Sequence, residues 1–171
     1  ADTLVVNTCA FIDRAREESV EALLEAAAWK ERRPGRRIVA AGCLVQRSGE
    51  ELAAELPEID SFVGLDGIGG LSVPAASGGA RERIELPSAP PRSEPATALF
   101  DHLDPRRRLS PPWSAYVKIA EGCNQTCAFC AIPSFRGRMR SRPVDDLVAE
   151  LEALAREGVV EANLIAQEST S

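Results

Sequence analysis

The sequence predicts an α/β fold in two parts, and three observations predict it. Short apolar runs of strand character alternate with helical stretches from residue 1 to about 70. A proline-rich stretch with little apolar periodicity follows over 71–112. From 113 to 171 the order strand, loop, helix, strand returns. Strand, helix, strand implies a right-handed parallel unit, so each part should hold a small parallel sheet covered by helix.

In the first part, Leu4-Val5-Val6, entered through Thr3, is a buried strand candidate. Val20, Leu23, Leu24, Ala27 and Ala28 follow the spacing of an amphipathic helix. Arg32 and Arg33 suit the negative end of its dipole, and Gly35 follows its expected end. Ile38-Val39-Ala40-Ala41 is the next strand. Ser48 and Glu51 have the spacing of a capping box, which predicts a short helix from Ser48 closed by Pro57, and Ser61-Phe62-Val63 is a third strand.

The middle stretch holds eight of the chain's twelve prolines and reads as a linker. It contains the sole histidine, His102, read as solvated, and the run Arg106-Arg107-Arg108, read as solvated surface rather than a nucleic-acid contact. In the last part, Ala115-Tyr116-Val117-Lys118-Ile119 is a strand. Ser141 is the expected cap of a helix with Pro143 near its first turn, Asp145 and Asp146 at its positive end and Gly158 closing it. Val144, Leu147, Val148, Leu151, Leu154 and Ala155 form its expected apolar stripe, and Ala162–Ala166 is the closing strand.

A chain of 171 residues with 44% apolar content can build a real core. Its formal charge of -6 argues against a broad nucleic-acid-binding surface. No apolar run approaches the roughly 20 residues that span a bilayer, and the start does not resemble a signal peptide, so a cytoplasmic protein without membrane contact is expected. Ala1 stands where an initiator methionine is missing, and both ends run close to strands, so the sequence is read as a fragment.

Cys123, Cys127 and Cys130 form a C-x-x-x-C-x-x-C triplet in the loop after the strand at Ala115. Three thiolates so spaced can ligate three irons of a 4Fe-4S cubane, leaving the fourth open to a substrate or cofactor. Cys9 and Cys43 each follow a strand of the first part, and neighbouring parallel strands would bring both to the crevice at their carboxyl ends. They are read either as ligands or as buried small hydrophobes. Gln167 and Glu168 follow the last strand, on the face where βα-barrels place their chemistry. Arg136, Arg138, Arg140 and Arg142 alternate after the triplet, as a carboxylate grip or as a solvated basic loop.

Cys-Asn-Gln-Thr-Cys-Ala-Phe-Cys, with its aromatic before the last cysteine, resembles the signature of radical S-adenosylmethionine (SAM) enzymes. Tyr-Val-Lys-Ile-Ala-Glu-Gly-Cys-Asn from Tyr116, then Ala-Ile-Pro-Ser-Phe-Arg-Gly from Ala131 and Ser-Arg-Pro ending at Pro143, are similar to the methylthiotransferases within that superfamily. Val-Val-Asn-Thr-Cys-Ala-Phe-Ile from Val5 resembles the region of that family's second amino-terminal cysteine, and Ala-Gly-Cys-Leu around Cys43 the third. The family's first such cysteine, most of its barrel and its TRAM domain have no counterpart here. Phe-Arg-Gly and the Gln-Glu-Ser-Thr-Ser ending resemble the branch that modifies an aspartate of ribosomal protein S-twelve, where Glu168 replaces the commoner Asp.

The resemblance implies a small Rossmann-like amino-terminal domain over 1–70, a linker over 71–112, and the first βαβ of a partial TIM-type barrel over 113–171. It implies two 4Fe-4S clusters and SAM. Cys123, Cys127 and Cys130 would hold the SAM-binding cluster, and Cys9 and Cys43 the auxiliary one, their third ligand missing. A 5′-deoxyadenosyl radical would abstract hydrogen from the aspartate β-carbon, with an electron donor such as flavodoxin and ribosomal protein S-twelve or the small ribosomal subunit as partners. Phe129 would pack near the adenine, Gln167 and Glu168 would bond the SAM ammonium unless they only cap the strand end, and Arg136 would grip a carboxylate. With one βαβ of its barrel, this chain alone is expected to be inactive. A tRNA methylthiotransferase acting on a modified adenosine and a non-catalytic metal-binding module, such as a zinc site, are the alternatives.

Overall fold

The computed structural model describes residues 2–71, 96, 99 and 108–170. The expectations placed on His102, Arg106, Arg107 and most of the linker lie outside the described residues. The chain divides into two compact units, Ala1–Ala96 and Thr97–Ser171.

In the first unit, β1 (Thr3–Thr8), α1 (Asp13–Glu31), β2 (Arg37–Gly42), α2 (Cys43–Glu55) and β3 (Ser61–Val63) follow in order, then a 3-10 helix over Leu65–Leu71. The three strands are parallel in the order β1-β2-β3. Both helices cover the same sheet face. Leu23 and Ala26 of α1 and Leu44, Val45 and Leu52 of α2 share one core with Ile38, Ala40 and Phe62, as two right-handed crossovers between sequential strands require. A fully buried Leu contributes about 1.5–3 kcal/mol by leaving water, so this face anchors the unit. Val39, Ala41 and Val63 form a smaller cluster from the alternate strand positions.

Several sequence expectations are corrected here. β2 is central and buried along nearly its whole length, whereas β1 is an edge strand whose burial alternates, and Val5 is 47% exposed. The stripe of α1 is rotated: Ser19, Leu23 and Ala26 are buried, while Leu24 and Ala28 face outward. α2 begins at Cys43 rather than Ser48. Gly42 adopts φ 108, a value that glycine reaches at little cost, and this turns the chain from strand to helix without a loop. Ser48, at φ -137 and ψ 33, is non-helical and separates two helical segments, so a short helix does start at this residue as the sequence suggests, preceded by another from Cys43.

In the second unit, β4 (Ser114–Lys118) pairs in parallel with β7 (Glu161–Ile165), and α4 (Val144–Arg156) is the crossover. Ala115, Val117 and Leu154 make its core, with Leu147, Leu151 and Val159 against them. Val144, Val148 and Ala155 are exposed, so the apolar face of α4 is narrower than its sequence stripe. Two short strands, β5 (Ala120–Glu121) and β6 (Arg140–Ser141), pair antiparallel, with α3 (Ile132–Arg136) between them. Ser141 therefore lies in a strand, and Pro143 occupies the cap position of α4. Among the described residues no helix is long and apolar enough to cross a membrane.

Candidate metal centre

The cysteine triplet occupies the loop that β5 and β6 close at its base, just beyond the carboxyl end of β4. Gly122 begins this loop at φ +80. A side chain there would meet the Arg138 carbonyl and stand 2.6 Å from Gly137 O, so the two strands of the loop approach only because position 122 has no Cβ. Cys123 N–H donates to Gly137 O at 3.2 Å and Met139 N–H to Asn124 Oδ1 at 3.2 Å, which continues the closure past β5. Cys130 N–H donates to Cys127 O at 3.0 Å, forming a tight turn.

Burial is graded along the triplet: Cys123 is buried, Cys130 half-buried and Cys127 exposed. Gln125 N–H donates to Cys123 Sγ at 3.4 Å. Phe129 is 93% exposed beside them. Among the described residues no three Cys, His, Asp or Glu side chains are gathered at metal-binding geometry. The donor chemistry nonetheless fits an iron–sulfur group: three soft thiol sulfurs on one short loop, one with a backbone donor aimed at it and one exposed.

Charge braces the loop. Glu121, buried in β5, pairs with Lys118 at 2.5 Å and with Arg136 of α3. Burial pushes the Glu121 carboxyl up, and hydrogen bonds from Lys118 and Arg136 outweigh it, holding the group below the usual carboxylate range. Arg136 is therefore engaged across the base of the loop. Arg140 Nη1 donates to Arg138 O at 2.8 Å. Arg142 is buried, bonded to Lys118 O at 2.8 Å and paired with Asp146 and Glu150 at 2.5 and 2.6 Å. The alternating arginines thus divide, and Arg142 anchors α4.

Gln167, one residue past Ala166 at the carboxyl end of β7, accepts from Gly122 N–H through Oε1 at 3.0 Å. It joins the second strand end to the start of the cysteine loop. Glu168 accepts from Thr170 N–H at 2.5 Å and Thr170 Oγ1 at 2.6 Å, a local turn.

In the first unit, the sheet register pairs Thr8 with Gly42. Cys9 and Cys43 are the next residues on each chain, at the carboxyl ends of adjacent parallel strands. Cys9 is exposed and Cys43 half-buried. Thr8 Oγ1 donates to Ala41 O at 2.8 Å, and a Cβ on Gly42 would lie 2.6 Å from Thr8 O, so the two ends are in close contact.

Sequence reasoning missed Glu121, Gly122, Ser19 and Arg47 at these sites. The ion pairs of Arg142 were missed too, although their signal is legible: Asp146 and Glu150 lie on successive turns of α4, just after Arg142.

Comparison with known proteins gives matches in both units. Residues 1–64 match a family described as uncharacterized protein family UPF0004, and residues 117–171 match the radical SAM superfamily. Together the two matches and the relatives below make the chain similar to the radical SAM methylthiotransferases. Within that class it is similar to the ribosomal protein uS12 methylthiotransferase RimO of Sorangium cellulosum, 48% identical over 99% of this chain and 33% of that protein. RimO of an Anaeromyxobacter species is 46% identical over all of this chain and 35% of its own length, and that of Myxococcus xanthus 45% identical over all of this chain and 34% of its own. The chain therefore spans about a third of the length of these relatives.

Proposed function

We propose that the protein is a methylthiotransferase acting on the β-carbon of an aspartate in ribosomal protein uS12, in the cytoplasm, with an electron donor such as flavodoxin. The observation that carries this reading is resemblance to RimO along the whole chain, through both cysteine regions. Cys123, Cys127 and Cys130 hold a 4Fe-4S cluster that binds SAM, and Cys9 and Cys43 are two ligands of a second cluster. When bound, these groups supply one-electron hydrogen abstraction from an unactivated carbon and the sulfur to be inserted.

The chain's own residues position and shield. The β5–β6 closure and the Glu121 pairs set the shape of the cysteine loop. Phe129 offers an exposed aromatic face to the adenine. Gln167 and Glu168 border the same site from the end of β7, and Arg136, paired with Glu121 at the base of the loop, is the residue read as gripping a carboxylate. Mass analysis of ribosomal protein uS12 from cells with and without the gene tests the reading. A methylthio mass gain that depends on the gene is expected. An unchanged uS12 together with gene-dependent methylthiolation of tRNA would overturn it.

A further inference from the structure

The thiol of Cys9 is exposed, but its backbone is held from two helices. Ser19, buried in the second turn of α1, accepts from Cys9 N–H at 2.9 Å and lies 3.2 Å from Cys9 O. A hydroxyl has one proton and two lone pairs. At 2.7 Å the Ala15 carbonyl takes that proton, with Cys9 O as the longer alternative, so the stable part of the contact is acceptance from Cys9 N–H. From the other side, Arg47 of α2 donates from Nη1 to Ala10 O at 3.0 Å. Ala10 itself is fully buried in the core between these helices. The Cys9-Ala10 segment is thus fastened at the Cys9 N–H by α1 and at the Ala10 carbonyl by α2.

Neither tether touches the sulfur, and neither is needed to close a helix: α1 is complete without the Cys9 contact, and Arg47 lies one turn beyond Cys43. Their shared effect is on where the Cys9 thiol stands relative to Cys43. We propose that Ser19 and Arg47 are positioning residues for the second cluster, which hold Cys9 beside Cys43 at the ends of β1 and β2. The proposal rests on the reading of Cys9 and Cys43 as cluster ligands. Partners that orient a metal ligand without binding the metal typically contribute 10–100-fold to metal affinity.

The test uses the full-length protein, of the length of the relatives, with Cys123, Cys127 and Cys130 all changed to Ala, reconstituted anaerobically with iron and sulfide. Iron loss to an excess of chelator is followed by the decay of the brown absorbance. Ser19→Ala and Arg47→Met should each release iron about tenfold faster, with thermal unfolding of the iron-free chain little changed, and Ser19→Thr, which keeps the hydroxyl, should restore slow release. If Cys9→Ala abolishes iron binding but Ser19→Ala and Arg47→Met release iron at the parent rate, the positioning role is overturned while the ligand reading stands. If Cys9→Ala binds iron as the parent does, the ligand reading fails and the proposal falls with it. If Ser19→Ala unfolds, Arg47→Met and Ser19→Thr still decide the question by the same rates.

Discussion

Glu121 of β5 and Arg136 of α3 form an ion pair across the base of the loop that carries Cys123, Cys127 and Cys130. The pair joins a residue just before the first cysteine to one just after the last, so charge and backbone close the same loop. Glu121→Gln keeps the shape and removes the charge. Its folded state should be less stable by about 1–3 kcal/mol, measured as a shift in the urea midpoint at pH 7.

Gly122 supports a sharper expectation. Gly122→Ala places a Cβ against the Gly137 and Arg138 carbonyls at a φ that L-residues adopt at a cost of about 1–2 kcal/mol. Iron incorporated at the triplet should fall severalfold, whereas Gly158→Ala, with the same sign of φ and open space around it, should cost only the backbone term. Iron analysis of the two variants side by side separates crowding from strain.

Arg142 is a structural anchor rather than a substrate contact. Its guanidinium is buried with Asp146 and Glu150, and Arg142→Met leaves two carboxylates without their cation. A loss of about 3–5 kcal/mol is expected, read by chemical denaturation. Arg136→Lys, by contrast, should leave folding nearly intact and raise the SAM or substrate concentration needed for half-maximal rate. Unchanged kinetics would remove Arg136 from the site.

Asp60 makes stability depend on acid. Burial pushes its carboxyl up, but Lys30 Nζ at 2.7 Å and the Ile38 N–H at 2.7 Å hold it below the ordinary value. The folded group thus ionises at lower pH than the unfolded one. Its contribution is complete above the unfolded value, about 3.9, and is lost as pH falls through the folded value. Asp60→Asn should lower stability at pH 7 by about 1 kcal/mol and flatten the loss below about pH 4, seen in melting temperature against pH.

Iron content tests the two-cluster reading. The full-length protein, reconstituted anaerobically, should hold about eight irons, four per cubane, and Cys9→Ala with Cys43→Ala should reduce this to about four. A parent value near four would sink the second cluster.

By itself the sequence determined the kinds and order of the longer elements, though not β5, α3 and β6, because apolar spacing and turn residues act locally. The three strands of the first sheet, the crossover ending at Gly158 and the placement of all five cysteines just after strands were legible that way. The cysteine spacing was also readable there, since it needs no fold. The tertiary structure decided which apolar residues are buried, because that depends on what packs against each face: Leu24, Val144 and Val148 have helical spacing but stay largely exposed among the described residues. It decided that α2 starts at Cys43, through a Gly42 conformation set by the touching end of β1. It also decided which charged groups meet, because Glu121, Lys118 and Arg136, or Lys30 and Asp60, come together only when the chain has closed.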